Sequence, residues 1–345
     1  MNGNIKKLLL DILTSSAVSP LANTTFGSGV PIFLMHRFTD EDNNVKSTSP
    51  QHLKRCLEFL KKNKYNFLSL NNYIRAIVNG ETLPKKSVVF TIDDGFQDQI
   101  EIAAPIFLEY DCPVTIFLVS GLVDKQLWPW DDQITYLLDH TQKKTLSMKL
   151  FSQQYEFSLL SASAKKSALE FIRNTIKANP MEDLAATMMY LSKITDCEIP
   201  KTFPSKYQPA NWDRVRYFEA KGIEFGPHTV THRILSRLET NTAIEEIKQS
   251  WLRLQQELKS PVPVFCYPTG RYVDYGPREV DIIRDTGLIG GVSAIPSQAE
   301  LSKQSGNYPF HIPRFCLSDD FEEFRHDLSW LGYIRNKPHP LFLKR

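Results

Sequence analysis

The chain of 345 residues is long enough to bury one large core or two modest ones. Its composition, 42% hydrophobic and 23% charged, is that of an ordinary globular protein, and a formal charge of +2 gives no bias towards nucleic acid or an anionic surface. The five cysteines, at 56, 112, 197, 266 and 316, are odd in number, scattered and without a C-x-x-C pair, which argues against a disulfide scaffold and for reduced thiols in a cytosolic protein.

Residues 1–29 form a separate N-terminal segment. Lys6 and Lys7 precede Leu8-Leu-Leu10, and Asp11 then breaks the apolar run short of the roughly 7–15 residues of a signal-peptide core. The segment reads as an amphipathic helix lying on a membrane or on the domain, with a cleaved export signal as the alternative. No run in the sequence is long and apolar enough to span a bilayer.

Val30 to Met35 is a candidate first strand ending in His36 and Arg37. Ser49-Pro50 opens a helix with a Ser cap and a Pro at the first helical position, and Leu53, Cys56, Leu57 and Leu60 give it one apolar face. Tyr65 to Ser69 reads as a short edge strand, and Asn71 to Asn79 as a helix stopped near Gly80. Val88 to Ile92 is the apolar, β-rich run of a buried strand, and it ends abruptly in Asp93-Asp94-Gly95. Two adjacent carboxylates repel and cost desolvation, so they need exposure or a compensating cation; by themselves they read equally well as a solvated turn. Ile100 to Tyr110 is helical by pattern and Val114 to Val119 is the next strand, so strand and helix alternate as in a parallel α/β fold.

Residues 125–210 break that rhythm. The stripes Ile134, Leu137, Leu138, then Leu169, Ile172, Ile176, then Leu184, Met188, Leu191 have helical spacing. They predict a helical stretch that begins at Trp128-Pro-Trp-Asp131, whose tryptophans either stack on a ligand or anchor the stretch to the rest of the fold. Asn211 to Gly222 is a helix with a Gly stop leading into the strand Gly222 to Gly226. His228 and His232 follow, four apart, so one turn or a tight loop aims both imidazoles at one point. With a carboxylate from Asp94 they make a two-histidine, one-aspartate metal set with open positions. Ala243 to Lys259 is a long amphipathic helix, Val262 to Pro268 and Ile289 to Ala294 are strands, Phe310 to Phe315 closes the region, and 321–345 is an amphipathic helix with a basic tail.

Thr91-Ile-Asp-Asp-Gly95 resembles the T-F-D-D-G motif of polysaccharide deacetylases, the NodB-homology or carbohydrate esterase family 4 group, and His228-Thr-Val-Thr-His232 resembles their H-[ST]-x-x-H motif, in the same order and strand context. The resemblance runs from 30 to 320 and implies a distorted (β/α)7-type barrel carrying 125–210 as an inserted helical subdomain. It implies a hydrolase that removes an N-acetyl group from an amino sugar of a polysaccharide, oligosaccharide or glycolipid. Asp94, His228 and His232 would hold one divalent metal, zinc on ligand type with cobalt, nickel, manganese or iron also fitting, and Asp93 would be the general base. The family's L-x-H histidine, a general acid, is missing near the C-terminus, but Leu34-Met35-His36 fits it at the start, similar to a circularly permuted branch; His36 is the candidate acid and His311 its rival. The family's R-x-P-Y arginine is absent at Cys266-Tyr-Pro-Thr-Gly270, so Arg314 is a candidate to steer Asp93. A backbone N–H near Tyr267 is the candidate oxyanion donor. The expected partner is an N-acetylated glycan, not nucleic acid, and the expected location is cytoplasmic with membrane contact through the N-terminal segment, or exported. The alternatives are an O-deacetylase, a related amidohydrolase, or a carbohydrate-binding pseudoenzyme.

Overall fold

The computed structural model describes residues 11–13, 29–180, 183–301 and 308–335. The N-terminal segment therefore lies almost wholly outside the described residues; within it, Asp11 pairs with Arg325. Strand β1 (Ile32–Met35) leads through helix α1 (Pro50–Lys62), the short β2 (Asn66–Phe67) and α2 (Leu70–Asn79) to β3 (Ser87–Asp94). A π-helical turn Gln99–Ala103 runs into α3 (Ala104–Glu109), and β4 (Thr115–Leu118) follows. The caps fall where their chemistry requires. Ser49 accepts from the His52 N–H, Ser69 accepts from the Asn72 N–H, and Gly80 closes α2 at φ 75°.

The insertion contains α4 (Trp130–His140), strands β5 (Thr145–Leu150) and β6 (Gln153–Ser158), α5 (Ala162–Lys177) and α6 (Leu184–Thr195). The chain then returns through α7 (Trp212–Glu219) to β7 (Glu224–Pro227), α8 (Thr240–Glu257), β8 (Val264–Cys266), α9 (Pro277–Asp285), β9 (Gly290–Val292), β10 (Phe315–Cys316), α10 (Phe321–Asp327) and α11 (Trp330–Arg335).

One parallel sheet has the order β10-β1-β3-β4-β7, with β2 added beside β3. β8 and β9 form a separate parallel pair. Two irregular contacts join them to the sheet: the Val262 N–H donates to Phe225 O at 2.7 Å, and β9 meets the residues before β10 through a parallel bridge from Val292 to Ile312. The ring β10-β1-β3-β4-β7-β8-β9 thus closes as a distorted seven-stranded barrel, the (β/α)7 architecture expected from the motifs. Alternation sends Ile32, Val89, Phe117, Val264 and Val292 into one cluster with Leu70 and Ile74 of α2, while Phe33, Phe90, Ile92 and Ile116 pack outward against α1 and α3.

The insertion is not purely helical. β5 and β6 form an antiparallel hairpin whose burial alternates along β5. Its two-residue turn is Phe151-Ser152, with φ of 47° and 73°. The Asn-Gly signal that normally announces such a turn is missing, which hides the hairpin from pattern reading. Nor are the insertion's tryptophans free platforms for sugar: Trp128 and Trp130 are buried, Trp128 stacking on Phe203 with ring centres 5.5 Å apart. They anchor the insertion, whose Ile134, Leu146, Ile172 and Leu191 share one core with Ile247 and Trp251 of α8 and with Phe265. Both turn residues of the hairpin carry side chains in the left-handed region, which costs about 1–2 kcal/mol per residue. The double substitution Phe151→Asn, Ser152→Gly should raise stability by about 1 kcal/mol in thermal unfolding.

Candidate functional site

β3 carries its carboxylates to the barrel's carboxyl-terminal end, where parallel α/β folds place their chemistry. Asp93 pairs in register with Phe117 and Asp94 with Leu118 of β4. The chain leaves β7 directly into His228, whose N–H donates to Leu118 O at 3.0 Å. Asp94 Oδ1 then lies 3.7 Å from His228 Nε2 and 3.5 Å from His232 Nε2, and the two imidazole centres are 4.9 Å apart. Three residues from distant parts of the sequence meet at one point.

The loop carrying the histidines is held from several sides. Glu246 of α8 is buried and accepts from the Val230 and Thr231 N–H groups at 2.9 Å each, from the Thr231 hydroxyl, and from Arg233 at 3.0 Å. Thr229 Oγ1 accepts from the His232 N–H at 2.9 Å. Gly121 N–H donates to Val230 O, and a Cβ at Gly121 would stand 2.6 Å from that oxygen, so only glycine permits the approach. Asp94, Thr229 and His232 all have positive φ, at 99°, 67° and 57°. Such backbone costs on the order of 1–3 kcal/mol per residue and persists where surrounding contacts enforce it.

Asp93 stays near His228 but takes a different partner. Its two oxygens take one Arg314 nitrogen each at 2.8 Å, and Arg314 also donates to Thr91 Oγ1 and Ser293 O. Both partners are buried, Arg314 at 1% exposure. Burial works against the Asp93 carboxylate, but the Arg314 guanidinium outweighs it and holds the group below the usual carboxylate range; His228 and His36 act in the same direction. Arg314 thus stands where the motif comparison lacked an arginine.

The residues fit a divalent cation. His228 Nδ1 and Cys266 O are 2.8 Å apart, so the Nδ1–H donates there and the Nε2 lone pair faces Asp94. Burial, followed by the neighbouring His232, pushes His228 down to about 4, so it is a neutral imidazole near pH 7. Asp94 Oδ1 and His232 Nδ1 are buried without a hydrogen-bond partner among the described residues. Orphaned polar atoms of this kind need a partner, and a two-nitrogen, one-oxygen donor set suits a transition metal. A second cluster, Asp93, His228 and Cys266, fits less well. Asp93 is already bound by Arg314, and burial holds the Cys266 thiol well above its ordinary pKa.

The remaining expected residues divide. His36 follows β1, exposed at the same barrel end, and bears on Asp93. His311 packs against Tyr275 with ring centres 5.5 Å apart, and burial pushes it down to about 4. The expectation for Tyr267 fails: its N–H donates to Val292 O at 3.2 Å in the β8–β9 pairing, and its buried ring stacks on Tyr275. It has no free donor for an oxyanion.

Four contributing residues were not anticipated. Gln99 bridges the site, donating to Asp93 O and His36 O and accepting from Gly95 N–H. Glu246 was legible only as a charge on the buried stripe that also contains Ala243, Ile247 and Ser250. Asp131 and Asp132, at the start of α4, reach the same cleft: His232 helps hold Asp131 low, while burial and then Asp131 push Asp132 well above the carboxylate range, with Asp94 adding to the rise.

The family profile for polysaccharide deacetylase matches residues 170–288. Among named relatives, the poly-beta-1,6-N-acetyl-D-glucosamine N-deacetylase of Staphylococcus epidermidis is 22% identical over 227 residues, covering 61% of this chain and 74% of that protein. The protein of the same name from Staphylococcus aureus is 24% identical over 214 residues, covering 59% and 72%. Among solved structures, the Streptococcus pyogenes deacetylase PplD in complex with acetate has a TM-score of 0.55 at 17% identity, over 90% of this chain and 98% of that one. IcaB from Ammonifex degensii has a TM-score of 0.54 at 14% identity, over 89% and 98%.

Removing one partner of the buried pair leaves the other charge uncompensated. Arg314→Met should lower stability by about 3–5 kcal/mol in urea unfolding, and adding Asp93→Leu should recover most of it. Asp132 keeps its proton in the folded protein where the unfolded chain has lost it. Its contribution is therefore full below the unfolded value of 3.8 and declines as pH rises. Asp132→Asn should remove that decline from the melting temperature of the metal-free protein between about pH 4 and pH 7.

Proposed function

We propose that this chain, which belongs to the NodB-homology polysaccharide deacetylases, hydrolyses the N-acetyl group of an amino sugar in a glycan, acting on the acetamide carbon–nitrogen bond. The reading rests on one observation above all: Asp94, His228 and His232 converge within 3.7 Å while Asp93, the adjacent carboxylate, is held apart from them by Arg314. The names of the relatives favour β-linked N-acetylglucosamine as the sugar.

Asp94 Oδ1, His228 Nε2 and His232 Nε2 would hold one divalent ion, zinc by ligand type and cobalt, nickel, manganese or iron by the same donor set. Such an ion polarises a carbonyl oxygen and lowers the pKa of water from 15.7 towards about 7. Asp93 accepts the proton of the attacking water at a carboxylate oxygen. Arg314 keeps that carboxylate ionised and fixed in direction, and by doing so limits its basicity. His36 delivers a proton to the departing nitrogen. The water oxygen joins the acyl carbon, the carbon–nitrogen bond breaks, and the products are acetate and a free amine. A cytoplasmic location with membrane contact through the N-terminal segment is part of the same proposal; among the described residues no helix is long and apolar enough to cross a membrane.

Acetate release from an N-acetylglucosamine oligomer tests the reading. Asp93→Asn should fold, retain metal affinity and lose at least about a hundredfold in kcat, and near-normal turnover would remove Asp93 from the base role. Arg314→Lys gives up the two-point clamp, so the Asp93 pKa should rise and the acid limb of the kcat/KM profile should move to higher pH. An unmoved limb would detach Arg314 from the chemistry. Acetate released from an O-acetylated glycan only would favour the ester substrate.

A further inference from the structure

A pocket of about 630 Å³ opens between the insertion and the histidine loop, within the usual range of about 300–1,000 Å³ for ligand sites. It lies beside the loop that carries His232. Thr231 and Arg233, the two residues flanking His232, form one wall, and Trp130, which lines it too, donates its indole N–H to His232 O at 3.3 Å.

The chemistry of the lining selects its ligand. Leu127, Leu184, Met188, Met189 and Ile199 supply an aliphatic surface. Its polar members mostly have their hydrogen bonds within the protein: Gln133 to Trp128 O, Ser192 to Cys197 O, and Thr231 and Arg233 to Glu246. The Glu198 carboxylate and the Trp128 indole N–H have no such bond among the described residues. The tryptophans offer no open face, since Trp128 and Trp130 are 7% and 3% exposed. A sugar needs several converging donors and acceptors or an open aromatic platform, and this wall is mostly aliphatic with its aromatic faces covered. An alkyl chain needs apolar, adaptable surface, which methionines provide well.

We infer that this pocket binds the aliphatic chain of a lipid-linked substrate, placing the attached amino sugar at Asp94, His228 and His232. The inference rests on the deacetylase reading for the position of the sugar, and the pocket's preference for a chain can be measured without turnover.

Full-length, metal-loaded Asp93→Asn protein is titrated calorimetrically with methyl and with dodecyl 2-acetamido-2-deoxy-β-D-glucopyranoside, the latter below its micelle concentration. Each buried methylene is worth about fourfold in affinity, so the dodecyl glycoside should bind at least about a hundredfold more tightly. Ala185→Trp, at an exposed position of α6 that lines the pocket, should erase most of this advantage and leave methyl-glycoside binding unchanged. Met189→Glu, also exposed, should do the same by placing a charge against the chain. Equal affinity for the two glycosides, or a dodecyl advantage that survives both substitutions, overturns the inference. Failure of the wild-type protein to release acetate from either glycoside would instead count against the deacetylase reading, with the calorimetry still deciding the pocket.

Discussion

Two carboxylates adjacent in sequence, both nearly buried, carry more negative charge than one guanidinium can balance. Asp93 and Asp94 are 3% and 9% exposed, and Arg314 binds both oxygens of Asp93. That leaves Asp94 beside two imidazoles, of which His228 is held neutral near pH 7, and with an orphaned oxygen. Strand geometry enforces the division, since successive side chains on β3 point to opposite sides. Asp93 joins Thr91 and Arg314 in the barrel, and Asp94 is turned by its positive φ towards the histidine loop. A desolvated carboxylate without a partner costs several kcal/mol, so the site is built to receive a positive charge.

Closure of the barrel makes this possible. Arg314 immediately precedes β10, which pairs with β1, and His36 immediately follows β1. Residues near both ends of the chain are thereby brought beside β3. The insertion does more than decorate this ring. It shares a core with α8, the helix that supplies Glu246, and its first helix brings Asp131 and Asp132 to the cleft. Changes in the insertion can therefore reach the histidine loop through packed contacts.

Much of this was legible beforehand. The capped helices α1 and α2 and the parallel alternation follow from local patterns, because each depends on short-range chemistry. The convergence of Asp94 with His228 and His232 is long-range, and what announced it was the resemblance of the two motifs to those of polysaccharide deacetylases. The hairpin of the insertion was not legible, because Phe151 and Ser152 adopt a turn usually reserved for Asn and Gly. Tyr267 was misplaced because its N–H depends on the β8–β9 pairing, a nonlocal fact. Gln99 and Glu246 act by folding polar side chains into the interior, and nothing in their immediate neighbours announces it. The tryptophans looked available for stacking because a sequence does not show what covers an aromatic face.

The most direct test of the central claim is X-ray absorption spectroscopy at the zinc edge on protein loaded with one equivalent of zinc. The account predicts a first shell of nitrogen and oxygen only, at about 2.0–2.2 Å, with two imidazoles resolved by their outer-ring scattering. A sulfur scatterer at about 2.3 Å would place the ion on Cys266 instead and contradict it.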